Sequence, residues 1–176
     1  VELLILAFIC CCLAHYKPAA AGVDFPANCL YRVLKGILMT KQYSKFETEL
    51  QVRPDDIDMN QHVHNTRYLD YVLAARYDQM ERCYKMNMGE FISLGYSWVV
   101  NTTHVEHKRP LVLGDTIIVR TWIEEMLKDG VTVHFEIFKK ENNKLSCEGY
   151  VRYTMVNLKS GRAENIPEWI ALKYAI

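Results

Sequence analysis

The stretch over residues 65–86 constrains this chain most. It holds neither Gly nor Pro, and its apolar residues are spread too widely for a helix that merely rests on a surface. Tyr68, Tyr71, Val72 and Ala75 mark one face, and Leu69, Leu73, Met80, Cys83 and Tyr84 widen it. Other structure has to wrap such a helix, and the remaining pattern supplies strands to do so. Phe46, Thr48, Leu50 and Val52 alternate with polar residues up to Pro54, which reads as a half-buried strand. A loop or short helical turn is expected over residues 87–95. Four further strands follow: residues 98–109, closed by Pro110; residues 115–126, opened by a Leu113-Gly114-Asp115 turn; residues 131–137, after Lys128-Asp129-Gly130; and a last strand with Cys147, Gly149, Val151, Tyr153 and Met155 on one face. The expected order is one strand, one long helix and a four-strand meander. That is an α+β domain, an antiparallel sheet wrapped around one long central helix.

Immediately before the helix the chain turns polar. Asp55, Asp56, Asp58, Asn60, His62, His64 and Asn65 crowd into one short turn. So many polar groups next to a buried helix are costly unless their hydrogen bonds are met or used. The same junction places free backbone N–H groups and the positive end of a helix dipole beside carboxylates and imidazoles. Chemistry on a carbonyl suits such a place. Asp55 and Asp56 read as turn and cap residues, since Asx side chains favour turns. Capping also competes for Asp58, and an Asx-turn for Asn60.

Composition narrows the classes. The chain has 176 residues, half hydrophobic and 24% charged, with Lys plus Arg equal to Asp plus Glu. No basic excess invites nucleic acid. The six cysteines include the contiguous Cys10, Cys11 and Cys12, and no CxxC pair occurs, so a reducing compartment is the simpler expectation. No Gly-rich phosphate loop and no Gly-x-Ser-x-Gly elbow are present. Residues 1–38 differ from the rest. Their apolar run, residues 3–14, is short for a membrane span and lacks a preceding positive charge. Two readings stand: a targeting segment, or an upstream extension of the reading frame before Met39. The expected domain is residues 39–176, placed in the cytoplasm, or exported or organellar if the segment is a genuine signal.

The run Asp56-Ile57-Asp58-Met59-Asn60-Gln61-His62-Val63-His64-Asn65-Thr66-Arg67-Tyr68 resembles the active-site turn of hot-dog acyl-thioesterases. It is especially similar to that of the acyl-acyl-carrier-protein thioesterases of plants and bacteria. Arg109-Pro110-Leu111-Val112-Leu113-Gly114-Asp115 resembles the Arg-Pro-x-x-x-Gly-Asp turn of the wider 4-hydroxybenzoyl-CoA thioesterase-like superfamily. The resemblance implies a hot-dog domain that hydrolyses fatty acyl thioesters, on acyl carrier protein or CoA, without a cofactor. It places the catalytic aspartate at Asp58, with Asn60 and His62 beside it to orient water or the carboxylate. The family's Asn-Asn pair becomes His64-Asn65 here, whose backbone N–H groups are the implied oxyanion donors. Tyr68 and Trp98 would line an apolar slot for the acyl chain. The Glu-Cys pair of the plant enzymes falls where this chain reads Pro110-Leu111, so the single-domain superfamily is the closer mechanistic pattern. The resemblance also implies a homodimer, because such sites form where two protomers meet.

Two other readings share these residues: a hot-dog dehydratase or hydratase of acyl thioesters, and a non-catalytic acyl-binding dimer. The Asn-Gln-His-Val run argues against the first, and retention of Asp58, Asn60 and His62 against the second. His62-Val63-His64 and His104-Val105-Glu106-His107 invite a metal, but their spacing fits no zinc signature, and none is expected. On a strand His104 and Glu106 would share a face while His107 points away. Arg76, Lys85, Lys108 and Arg109 are candidates to dock an acidic carrier protein.

Overall fold

The computed structural model describes residues 43–176, so the extension over residues 1–38 and its boundary lie outside the described residues. Five strands form one antiparallel sheet: β1 (Phe46–Gln51), β2 (Tyr96–His107), β3 (Thr116–Met126), β4 (Gly130–Lys139) and β5 (Lys144–Asn157). The helices are α1 (Arg67–Arg82), α2 (Met88–Ser93) and α3 (Glu168–Lys173). Among the described residues no helix is long and apolar enough to cross a membrane.

The strand order is β1-β3-β4-β5-β2, which corrects the expected four-strand meander. Only β3, β4 and β5 run as consecutive hairpins; β2 sits beyond β5, and β1 pairs with β3. The cause lies in the β2–β3 connection. It is too long for a tight turn, and its Leu111 is fully buried, so it crosses the domain instead of folding back. Gly149 lets β2 lie against β5, since a Cβ there would stand 2.0 Å from the His104 carbonyl oxygen.

α1 begins two residues later than the apolar pattern suggests, because Asn65 and Thr66 stay in the turn. It also ends early, where Lys85 adopts a left-handed φ of 53° and the Met86 N–H turns back to the Met80 carbonyl. Asn87 caps the short α2 by accepting from the Glu90 N–H at 2.8 Å.

α1 spans two apolar clusters. Its first half packs Tyr68, Tyr71, Val72 and Ala75 against Leu111, Ile117, Val119, Phe135 and Cys147. Its end brings Met80 and Tyr84 to Phe91, Ile123, Val133, Met155 and the unexpected α3, through Ile170 and Tyr174. Burial of each large side chain contributes about 1.5–3 kcal/mol. The helix buries a stripe only, and Leu73 and Tyr77 face out, 45% and 48% exposed.

The two sheet edges differ. On β1, Gln79 Nε2 donates to the Phe46 carbonyl and Arg82 to the Glu47 carbonyl at 2.7 Å. Among the described strands β2 has β5 on one side only, and it carries the exposed Val99 and Val100.

Candidate active site

The polar turn is built from the inside out. Pro54–Asp56 form a 3₁₀ turn that sinks Asp56 to 1% exposure. Arg53 Nε donates to its carboxylate at 2.9 Å and Tyr71 Oη at 2.6 Å, with the Arg67 guanidinium 3.5 Å away. Burial alone would raise this carboxyl's pKa, but the donated bonds and the two arginines outweigh it and hold the group below the usual carboxylate range. Burial and the ionised Asp56 in turn push the Tyr71 phenol up to about 12. Asp56 is thus the anchor of the turn, a weight its place in the sequence did not reveal.

Beyond the anchor, Ile57 and Val63 form a single antiparallel bridge that closes a small loop. Inside it the Asp58 N–H donates to the His62 carbonyl at 2.8 Å, and Gln61 takes a left-handed φ of 60°. Asp58 Oδ1 accepts from the backbone N–H of Asn60 at 2.8 Å and of His62 at 3.4 Å. It is therefore the backbone of Asn60 and His62, and not their side chains, that holds the carboxylate. Asp58 Oδ2 has no partner among the described residues.

The helix entrance divides the expected oxyanion donors. The His64 N–H is spent on the Asp56 carbonyl at 2.9 Å, and His64 Nδ1 accepts from the Thr66 N–H and meets Thr66 Oγ1. The Asn65 N–H has no acceptor among the described residues. Of the two, only Asn65 offers a backbone donor.

The second sequence landmark braces the first. Gly114 turns at φ 91°, and Asp115 accepts from the Val112 N–H while pairing with Lys139 at 2.8 Å. This turn presents Leu111, whose carbonyl accepts from the Val63 N–H at 2.8 Å and whose N–H donates to Tyr68 Oη at 3.2 Å. Across the gap, Ser146 secures the next segment: its carbonyl accepts from the Lys108 and Arg109 N–H groups.

Asp58, Asn60, His62, Asn65 and Tyr68 thereby face His107, Lys108 and Arg109 across a recess of about 560 Å³. The His107 ring stands edge-on to Tyr68, centroids 4.7 Å apart. Alternation on the strand sets His107 apart from His104 and Glu106, but nothing in the sequence says that it would meet Tyr68. His104 and Glu106 do share the other face, 3.1 Å apart. Among the described residues no three His, Cys, Asp or Glu side chains converge as a metal site would need.

Trp98 does not reach this recess. It lines a second cavity of about 120 Å³ between α1 and the sheet, with Leu73, Tyr77 and Val100, so one chain does not join Tyr68 and Trp98 in one slot. The four cations do not cluster either. Arg76 is buried, Lys85 Nζ donates to the Arg82 carbonyl, and Lys108 is engaged by Glu106 and Glu148; the Arg109 guanidinium fronts the recess with the Leu145 carbonyl as its one partner among the described residues.

A five-stranded antiparallel sheet on one long helix is the architecture of the hot-dog acyl-thioester hydrolases. The thioesterase-like superfamily model matches residues 52–173, and the chain belongs to that family. The chain is 22% identical over 117 residues to the long-chain acyl-CoA thioesterase FadM of Escherichia coli, covering 66% of this chain and 87% of that one. Among solved structures, a hypothetical protein from Thermus thermophilus superposes with a TM-score of 0.68 at 25% identity, over 73% of this chain and 96% of its own. A 1,4-dihydroxy-2-naphthoyl-CoA thioesterase from Synechocystis superposes with a TM-score of 0.67 at 18% identity, over 74% and 96%.

Proposed function

We propose that this hydrolase acts on acyl-CoA, with Asp58 delivering the nucleophile and the Asn65 N–H receiving the negative charge on the carbonyl oxygen. The observation that carries this reading is that a half-buried carboxylate with one free oxygen and an unspent helix-entrance N–H line the same recess. With Asp58 as base, a water oxygen bonds the acyl carbon, its proton passes to Asp58 Oδ2, the C–S bond breaks and the thiolate leaves to be protonated. With Asp58 as nucleophile, Oδ2 bonds the acyl carbon first, the C–S bond breaks and the thiolate leaves to be protonated; water then opens the mixed anhydride, freeing the acid and restoring the Asp58 carboxylate. In both routes the Asn65 N–H stabilises the same oxyanion. CoA is favoured over a carrier protein because the candidate docking cations are dispersed, while Arg109 stands free of carboxylates at the recess, placed for a phosphate. FadM, a relative over most of its length, acts on acyl-CoA.

The site is completed by a second copy. Antiparallel pairing of β2 with its counterpart about its middle sets the His107 end of one strand beside the Trp98 end of the other. The cavity at Trp98 then opens next to the partner's Asp58 recess, which reunites the two halves of the acyl slot. The exposed Leu73, Tyr77, Val99 and Val100 fit such an interface.

The test is thiol release by the full chain and its Asp58→Asn variant over acyl-CoA and acyl-carrier-protein substrates. Asp58→Asn is expected to lower kcat about 10²–10⁴-fold with the fold intact. No thiol release from any substrate by the folded wild-type chain would end the hydrolytic reading.

A further inference from the structure

The small cavity under α1 is apolar except at one point. Arg76 lines it and is 7% exposed, yet no carboxylate among the described residues pairs with it. Its guanidinium has one neutral hydrogen bond, to Thr121 Oγ1 at 3.3 Å, and lies over the Tyr84 ring at 5.3 Å. A buried cation ordinarily has a counter-charge or a full set of acceptors, because desolvation is expensive. Here the guanidinium has no counter-charge and a single protein acceptor among the described residues, and its remaining nitrogens are not fully sealed.

Two more donors are unspent beside it. The hydroxyls of Tyr84 and Tyr174 are buried without a hydrogen-bond partner among the described residues, and Tyr174 lines the same cavity. The two rings lie 4.7 Å apart, and Trp98 stands edge-on to Tyr174. Burial pushes the Tyr174 phenol up to about 12, so it remains a donor at neutral pH. A slot meant for a plain hydrocarbon end would gain nothing from a bare guanidinium and an unpaired phenol. These groups call for an anionic oxygen.

We propose that this cavity receives an acyl group bearing a carboxylate at its far end, with Arg76 supplying the counter-charge and Tyr174 a hydrogen bond. This deepens the hydrolytic reading and rests on it: the substrate class becomes ω-carboxyacyl-CoA, not a methyl-ended chain. The thioester end stays at the Asp58 recess that the second copy brings beside this cavity, and the remote carboxylate closes the electrostatic gap under α1.

The test compares kcat/KM of the full chain for ω-carboxyacyl-CoA and methyl-ended acyl-CoA of matched lengths, in wild type, Arg76→Met and Tyr174→Phe. Wild type is expected to favour the carboxylated series by about 100-fold or more, because a site built of polar groups rejects a partner that leaves them unpaired. Arg76→Met brings the ratio near one or inverts it, mainly through KM. Tyr174→Phe, which removes a single unpaired oxygen, lowers the ratio about tenfold. Preference for methyl-ended substrates by wild type, or a ratio unmoved in both variants, overturns the proposal. If Arg76→Met does not fold, Tyr174→Phe decides alone. If no thioester of either series is cleaved, the hydrolytic reading fails separately. Calorimetric binding of an α,ω-dicarboxylic acid against its monocarboxylic counterpart then judges the cavity, and equal binding overturns it.

Discussion

Arg53 and Tyr71 both donate to the buried Asp56 carboxylate, so the turn depends on that group staying ionised. Its folded pKa lies below its unfolded one, as does that of Asp78, which Arg82 and Thr48 hold. The stability these two groups contribute is therefore complete above the ordinary carboxylate range and lost as pH falls through their depressed folded values. The melting temperature should be flat from neutral pH to about 5 and fall below about 4. Asp56→Asn should cost about 2–3 kcal/mol at pH 7 and flatten that acid limb, as followed by thermal unfolding across pH. Asp58→Asn should instead leave the melting temperature nearly unchanged, since its contacts are with its own loop at a half-exposed site. A drop comparable to that of Asp56→Asn would make Asp58 structural.

Among the elements, β2 and the Gly114 turn hold the recess in shape. Gly149→Ala would drive a Cβ into the His104 carbonyl, and the cost should be about 3 kcal/mol with β2 loosened from β5, visible as faster amide exchange along β2. Gly114→Ala meets no neighbour but forces φ 91° on a residue with a Cβ, so it should cost about 1–2 kcal/mol through strain alone. The strands were legible because period-two alternation in β1, β3, β4 and β5 reports directly which face is buried. The position of β2 was not, since alternation says nothing about neighbours, and the buried Leu111 that forces the crossing looks like any leucine in a loop. α3 escaped notice because six residues carry too little periodicity. At the site, Asp58, Asn60, His62, Asn65 and Tyr68 are singled out by the resemblance of their run to the family's active-site turn, since spacing alone leaves capping and Asx-turn roles open, and they line one recess. Within one chain Trp98 and Tyr68 line different cavities, because two apolar residues facing the same core need not share one. Asp56 was read as an ordinary turn residue because a carboxylate's burial depends on Tyr71 and Arg67, which sequence proximity does not assign.

For the whole molecule, the proposed pairing through β2 can be tested apart from the chemistry. Val99 and Thr103 are exposed on that strand, and Val99→Lys with Thr103→Lys would set like charges against each other across the dyad. The double variant should sediment as a monomer and lose turnover at least about tenfold, since each recess would lack the other half of its slot. A monomer with full activity would confine the site to one chain.

The capped carbonyls of β1 also determine how far such association can go. In a polymer chemist's terms the proposed pairing would make the protein monofunctional: among the described strands β2 is the open edge, and joining two copies would consume both. Gln79 and Arg82, reaching from α1 to the Phe46 and Glu47 carbonyls, keep the opposite edge from serving as a second functional end. Replacing both with Ala would make the unit bifunctional, and light scattering should then rise with protein concentration as chains lengthen instead of terminating at two.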